Sequence, residues 1–119
     1  MRSDEKRVVF HLDWDDEKPV EMALYNITNI LSLGELEPAN IHVVANGPAV
    51  KLFIAHRVYS YFHKVEELNK LGVTFSLCNL ALKNYSVASE ALLPLCRVVD
   101  AGVIELIALQ EQGYSYIKP

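Results

Sequence analysis

The sequence predicts an α/β fold: a three-layer α/β/α sandwich of the flavodoxin-like kind, built on a mainly parallel five-stranded sheet. Short runs of β-branched and aromatic residues alternate with segments whose apolar residues recur every three or four positions. Strands that alternate with helices are typical of βαβ units, which place helices on both faces of a parallel sheet. No linker, repeat or low-complexity segment interrupts the 119 residues, so we expect a single domain over residues 1–119.

Five segments have the pattern of short, buried strands. Each is rich in valine, isoleucine, phenylalanine or tyrosine and is bounded by turn-forming or charged residues. They are KRVVFHL at residues 6–12, NIHVVAN at 40–46, VTFSLC at 73–78, CRVVD at 96–100 and YSYIK at 114–118.

The segments between these strands have helical periodicity. They are residues 20–31, a long region over 50–68, a short segment at 79–85, a second short helix at 86–94 and a last helix at 101–112. Aspartates of the DWDDEKP turn are expected to cap the first helix, Ser86 the second short helix and Asp100 the last. The long region is least regular at 56–60, where we expect a break, and Gly72 ends it.

Composition and charge exclude several classes of protein. The net charge of −4 and the absence of a Lys/Arg cluster on any helix argue against a nucleic-acid partner. The apolar stretches fall short of the roughly 20 residues that a membrane span requires. The charged N-terminus runs directly into a strand, so no signal peptide is expected. Two cysteines without a CxxC pair favour a cytoplasmic protein with free thiols.

The chain is more apolar than a small monomer needs. Hydrophobic residues make up 51% of the sequence, and the mean hydropathy is +0.14. The predicted helix at 101–112 carries apolar residues on nearly every side, and a sheet can cover only one of them. We therefore expect a homo-oligomer.

Polar segments directly follow the first three predicted strands. They are His11 to Asp16, Asn46-Gly47-Pro48 and Cys78-Asn79. Because ligands bind outside the carboxyl ends of the strands in open parallel sheets, we expect these segments to meet at one edge of the sheet.

Cys78 is the candidate reactive residue of this edge. A thiol near a helix N-terminus lies close to unpaired N–H groups, which favour the thiolate. The alternative is a thiol that only packs, since free cysteine is among the most buried residue types. His11, near Asp13, could tune a neighbouring thiol or bind an anion. Cys96 opens a strand at the opposite edge, so packing is expected for it and a disulfide with Cys78 is not.

Metal and cofactor motifs are weak in this sequence. Asp13, Asp15 and Asp16 could suggest a Mg²⁺ site, but a capping, solvated acidic turn explains them as well. His56 and His63 lie two helical turns apart without a third zinc ligand. NGPAV is neither a P-loop nor a dinucleotide fingerprint. We expect no metal and no organic cofactor.

Several stretches together resemble the DsrE/DsrF-like family, the relatives of the DsrEFH and TusBCD sulfur-relay proteins, and in particular its uncharacterised single-protein branch. These stretches are VVFHLDWDD at 8–16, LYNITNIL at 24–31, VVANGPAVKLF at 43–53, GVTFSLCNLAL at 72–82 and VVDAGVIELIALQEQGYSYIKP at 98–119. The resemblance implies a three-layer α/β/α fold and a trimer or hexamer. It also implies that a cysteine after the third strand accepts a persulfide. Cys78 stands at that place, and Asn79, His11, Asn46 and Gly47 would line its pocket.

Two functional hypotheses follow. In the first, the protein is a persulfide carrier or sulfurtransferase that works with sulfur donor and acceptor proteins, with Cys78 as nucleophile. In the second, it is a non-catalytic oligomeric module that binds a small anion or nucleotide, and Cys78 only lines the pocket. The candidate site residues are His11, Asp13, Asn46, Gly47, Cys78 and Asn79.

Overall fold

Five parallel strands form the sheet of the computed structural model, which describes residues 5–119; residues 1–4 of the predicted domain and of its charged N-terminus lie outside the described range. The strands are β1 (Val8–Leu12), β2 (Ile41–Ala45), β3 (Thr74–Cys78), β4 (Arg97–Val99) and β5 (Ser115–Ile117). Their order is β4-β3-β2-β1-β5, and every neighbouring pair is parallel. The prediction of a five-stranded parallel sheet is therefore confirmed.

Helices cover both faces of this sheet, as the three-layer prediction requires. The α-helices are α1 (Glu17–Ser32), α2 (Phe62–Leu71), α3 (Asn79–Asn84) and α4 (Gly102–Glu111). Short 3-10 helices lie at Pro38–Asn40, Gly47–Phe53, Ala55–Arg57 and Ser89–Ala91. None of the helices within residues 5–119 combines the length and the apolar character needed to cross a bilayer.

The two faces of the sheet differ in what covers them. Side chains of a strand alternate between faces. Phe10, Val43 and Phe75 lie on one face, which we call the core face, and pack in a large cluster with α1, α2 and α3. Val9 and Val44 lie on the other, which we call the α4 face, and form a small cluster with two leucines of α4. The third layer of the sandwich is thus a single ten-residue helix.

The strand order explains why α4 is alone on its face. The chain winds in one direction from β1 to β4 and then returns to place β5 on the other side of β1. With right-handed crossovers, this reversal puts the last connection on the opposite face from the first three. The topological switch point therefore lies between β1 and β5, whereas in the 2-1-3-4-5 order of flavodoxin it lies between the first and third strands.

The region predicted as a long helix over 50–68 is different in the structure. Its first part is the 3-10 helix Gly47–Phe53, followed by Ala55–Arg57, and only Phe62–Leu71 is α-helical. Val58 has a left-handed backbone with φ of 50°, which ends the second 3-10 helix. The predicted break at 56–60 is therefore confirmed, and so is the end of α2 before Gly72. Periodicity alone did not separate the tighter helix from the α-helix because both bury residues every three or four positions.

One predicted cap is confirmed and two are wrong. The Asp16 carboxylate accepts the backbone N–H of Lys18 at 3.0 Å and so caps α1. Ser86 instead adopts a left-handed φ of 55° just after α3, and the following 3-10 helix begins only at Ser89 without a side-chain cap. Ala101, not Asp100, is the N-cap residue of α4, and no side chain bonds there. The start of α4 is instead fixed by the close packing of Gly102 on Asn46 and Cys78.

Candidate functional site

The carboxyl ends of the strands bring the predicted polar residues to one edge of the sheet. His11 lies in β1, Asn46 directly follows β2, and Cys78 is the last residue of β3. Because these strands are adjacent and parallel, the three residues follow one another across the sheet. Tyr116 of β5, on the other side of β1, extends this line by one residue. We call Tyr116, His11, Asn46 and Cys78 the polar row.

Hydrogen bonds join the first three members of the polar row. The Tyr116 hydroxyl lies 2.5 Å from His11 Nδ1, and His11 Nε2 lies 2.8 Å from Asn46 Oδ1. The two rings lie 5.5 Å apart between centroids. Asn46 precedes a 3-10 helix but does not cap it with its side chain, so its carboxamide oxygen is used on His11 instead.

Gly102, the first residue of α4, packs directly on the end of the polar row. A Cβ atom at Gly102 would lie 2.8 Å from the Asn46 Cβ and 3.3 Å from the Cys78 Cβ. Real Cβ atoms do not approach one another as closely as 2.8 Å, so only glycine fits without displacement of the helix. The same contact shows that Asn46 and Cys78 are neighbours beneath the start of α4.

Cys78 is a buried free thiol at the junction of strand and helix. The residue is 7% exposed, and both Cys78 and Cys96 are free. Its Sγ accepts the backbone N–H of Ala81 at 3.4 Å and so caps α3.

The β1–α1 segment borders the row through backbone contact. Gly47 has a φ of +56°, and a Cβ there would lie 3.3 Å from the carbonyl oxygen of Asp13. The Asp13 carboxylate itself pairs with Lys118 Nζ at 2.7 Å. The structure therefore brings Asp13 to the site by its backbone, and its charge is matched by the C-terminal segment.

The other two aspartates of this segment are also engaged separately. Asp15 pairs with Arg57 at 3.0 Å, and this hydrogen bond is the main cause that raises the pKa of the Arg57 guanidinium. Asp16 caps α1. Within residues 5–119, no three His, Cys, Asp or Glu side chains come together as a metal site.

Asn79 is the least connected of the predicted site residues. It is the first residue of α3 and is half-buried. None of the hydrogen bonds between described residues involves its side chain. The structure places it next to Cys78 along the chain, without a contact that joins it to the rest of the polar row.

Two further titratable groups are half-buried outside the polar row, His42 on the α4 face and Cys96 against the core-face cluster. His42 packs edge-on against Tyr114, with 5.1 Å between ring centroids, and its Nδ1 has no partner among the described residues. Burial lowers the pKa of His42, the charge of Glu105 opposes this and that of Arg97 adds to it. Cys96 is also half-buried, and burial raises its pKa to about 12, which keeps that thiol protonated.

Two residues that contact the candidate site, Tyr116 and Gly102, were not identified from the sequence. Both lie in the stretch 98–119 that carries the strongest family resemblance. The glycine at the start of the last helix and the tyrosine of YSYIK were visible as letters of that motif, but not as neighbours of Cys78. Their roles depend on β5 pairing with β1, which the order of predicted elements does not specify.

Comparison with known proteins identifies relatives over nearly the whole chain. A sequence model of the DsrE/DsrF-like family matches residues 9–119. No curated protein matches the chain. Among solved structures, MTH1491 from Methanobacterium thermoautotrophicum, a protein of unknown function, is 35% identical with a TM-score of 0.84, and the match covers 96% of this chain and 99% of that one.

Two more distant structures share the fold. The ychN protein from E. coli is 12% identical with a TM-score of 0.76, and the match covers 96% of this chain and 99% of that one. BT1422 from Bacteroides thetaiotaomicron, a conserved protein of unknown function, is 18% identical with a TM-score of 0.78, with coverage of 100% and 99%. At these identities the likeness shows the common α/β/α fold alone.

Proposed function

Because the chain belongs to the DsrE/DsrF-like family, we propose that it is a sulfur-relay protein, a persulfide carrier or sulfurtransferase, whose Cys78 thiolate accepts and passes on sulfane sulfur. The observation that carries this proposal is the position of Cys78. It ends β3 beside Asn46, and the Asn46 side chain is held by His11. A free thiol thus adjoins polar groups at the edge where parallel sheets bind ligands.

The transfer requires two displacements at sulfur. The Cys78 thiolate attacks the outer sulfur of a donor persulfide; a new S–S bond forms to Cys78 as the donor's S–S bond breaks, and the donor leaves as a thiolate. An acceptor thiolate then attacks the outer sulfur on Cys78 and restores the Cys78 thiolate. In each step one S–S bond replaces another without net oxidation or reduction, so the transfer needs neither a metal nor an organic cofactor.

The other site residues have supporting roles in this proposal. Asn46 stabilises the anionic sulfur, His11 holds the Asn46 carboxamide in place, and Asn79 adds a polar group at the start of α3. Gly47 and the backbone of Asp13 shape the wall of the pocket. The covered position of Cys78 protects a bound persulfide from stray thiols between the two displacements. Donor and acceptor thiols of this kind persist in a reducing compartment, so we place the relay in the cytoplasm.

We also propose that the protein works as a homo-oligomer, a trimer or hexamer. Val103, Ile104 and Ile107 of α4 are 55%, 64% and 47% exposed in the single chain. Contiguous apolar side chains on one helix surface are typical of an interface. An interface on α4 would also steady the helix start that covers Cys78.

A second function is favoured by one observation, the burial of Cys78. A thiol that is 7% exposed and caps a helix could serve packing alone. In that case the polar row would bind a small anion or nucleotide without covalent chemistry, and the protein would be an oligomeric binding module.

Intact-mass spectrometry after brief exposure to polysulfide distinguishes the two functions. The samples are the native wild type, Cys78→Ser and Cys96→Ser. The proposal predicts that wild type and Cys96→Ser gain the mass of one sulfur atom, that Cys78→Ser does not, and that a second thiol removes the added sulfur. A native protein that gains no sulfur, with Cys78 labelled by alkylating reagents only after unfolding, would contradict the relay and favour the binding module.

A further inference from the structure

The polar row crosses four neighbouring strands in a fixed order. Tyr116 of β5, His11 of β1, Asn46 after β2 and Cys78 of β3 follow the spatial order of the strands. Asn46 therefore stands between His11 on one neighbouring strand and Cys78 on the other. A group that binds the oxygen of the Asn46 carboxamide also fixes the position of its NH₂ group.

The hydrogen bonds of the row can run in only one direction for a neutral imidazole. Asn46 Oδ1 can only accept, so His11 Nε2 must carry the hydrogen. The other nitrogen, Nδ1, is then an acceptor, and the Tyr116 hydroxyl must donate to it. The phenol thus selects the tautomer of His11, and the tautomer selects the orientation of Asn46.

The orientation leaves the Asn46 amide nitrogen as a donor. With Oδ1 bound to His11, Nδ2 is the end of the carboxamide that His11 does not hold, and no hydrogen bond between described residues uses it. Among the described residues, the fully buried side-chain atoms without a partner are His42 Nδ1 and Ser76 Oγ, and Nδ2 is not one of them. The Asn46 and Cys78 side chains adjoin each other beneath Gly102, and an NH₂ group in such a place is a partner for an acceptor-only, anionic group.

We infer that Tyr116 is a positioning residue: through His11 it holds Asn46 with its NH₂ group available on the Cys78 side, which makes the pocket selective for anionic reagents that approach Cys78. Under the proposed function, on which this identification rests, the anion is the charged terminal sulfur of a persulfide. Without the Tyr116 hydroxyl the imidazole is free to exchange tautomers. Asn46 can then turn its oxygen, an acceptor, toward the incoming anion.

The test compares alkylation of Cys78 by iodoacetate, an anion, and by iodoacetamide, its neutral analogue. The ratio of the two rates cancels changes in thiol ionisation and burial. Asn46→Ala should lower the ratio about tenfold, as expected for the loss of one hydrogen bond to a charged group. Tyr116→Phe should lower it by a smaller factor, and Tyr114→Phe, a matched change on the same segment, should leave it unchanged.

The double variant Tyr116→Phe/Asn46→Ala shows whether Tyr116 acts through Asn46. If it does, the double variant has the ratio of Asn46→Ala alone, because coupled groups are not additive. The inference would be overturned if the effects of the two single variants on the rate ratio multiply in the double variant, or if Tyr116→Phe leaves the ratio unchanged. Nitrogen NMR of labelled histidine supplies the independent arm: His11 must have a protonated Nε2 and a bare Nδ1 in the wild type, and the reverse would overturn it. Neither arm uses sulfane sulfur, so failure of the relay itself would appear only in the mass experiment.

Discussion

The two faces of the sheet are built from the same strands but bury different chemistry. The core face holds a large apolar cluster beneath three α-helices. The α4 face holds four buried apolar residues, together with His11 and His42, and Cys78 lies where this face borders the core-face cluster. Successive side chains of a strand point to opposite faces of the sheet, so each strand contributes residues to both faces. Most of the buried apolar side chains therefore lie on the core face, and we expect that face to supply most of the stability, which leaves the other free to carry polar groups.

Helix α4 makes this division possible. It contacts the sheet through Leu106 in its middle and Leu109 near its C-terminal end, while its first residue, Gly102, lies on Asn46 and Cys78. A single helix thus closes both the small apolar cluster and the candidate site. Changes on the core face should alter stability without altering Cys78 chemistry, and changes under α4 should do the opposite.

The largest effect on stability is expected for Phe75→Ala on the core face. Phe75 is almost fully buried and its ring lies 6.1 Å from that of Phe53. The cavity should lower the free energy of unfolding by about 3–5 kcal/mol in urea denaturation. The alkylation rate of Cys78 in the folded protein should stay within twofold of wild type. A loss of stability below about 1 kcal/mol would show that the core face does not dominate.

An intermediate effect is expected for Gly102→Ala at the start of α4. The added Cβ meets Asn46 at 2.8 Å, and overpacking of this kind costs about 1–3 kcal/mol. The helix start should move away from Cys78, so iodoacetamide should label the thiol faster than in wild type. Glu111→Ala, at the exposed end of the same helix, is the control and should change neither quantity. Slower or unchanged labelling in Gly102→Ala would contradict the covering role of α4.

A smaller, pH-dependent effect is expected from His42. Burial lowers its pKa in the folded protein, so below the unfolded value of 6.5 the unfolded chain binds the extra proton first. The free energy of unfolding should therefore fall as the pH is lowered from 6.5 toward the pKa of His42 in the folded protein. Above pH 6.5, His42 should contribute no pH dependence. His42→Gln should remove this part of the pH dependence, whereas His63→Gln, on the exposed side of α2, should retain it. Equal slopes in wild type and His42→Gln would contradict a buried, neutral His42.

The smallest effect on the fold of a single chain is expected on the outer surface of α4. The double change Ile104→Glu/Ile107→Glu replaces exposed side chains and should leave the circular dichroism spectrum unchanged. Light scattering should show that wild type is a multiple of the 13.4 kDa chain and that the double variant is a monomer. Leu33→Glu, an exposed apolar position after α1, should keep the wild-type mass. A monomeric wild type would contradict the proposed interface.

Much of the fold could be predicted because it depends on local pattern. The five strands were located to within one or two residues, since β-branched runs and alternation are properties of short segments. The edge that holds His11, Asn46 and Cys78 followed from the parallel topology. The 3-10 helices and the cap at Ala101 could not be predicted, because they are decided by tertiary packing against residues distant in sequence.

The polar row shows the same limit more sharply. His11 and Asn46 were expected to lie close together, but Tyr116 is 105 residues away from His11 along the chain. Their contact exists because β5 pairs with β1 and not with β4, and the sequence pattern is equally compatible with either pairing. Gly102 was visible in the sequence as a glycine at the start of a helix. The reason that a glycine is needed there, the closeness of Asn46 and Cys78, was not visible.

The most direct test of the division between a stabilising core face and a reactive α4 face compares two residues of the β2 region. Val43→Ala removes a buried side chain from the core face of β2, and Asn46→Ala removes the row residue that follows the same strand. Sulfur loading of native Cys78 from polysulfide, followed by intact mass over time, is measured for both. Val43→Ala should load at the wild-type rate despite a stability loss of about 2 kcal/mol, while Asn46→Ala should load several times more slowly. Equal loading by both variants, or slower loading only in Val43→Ala, would contradict it.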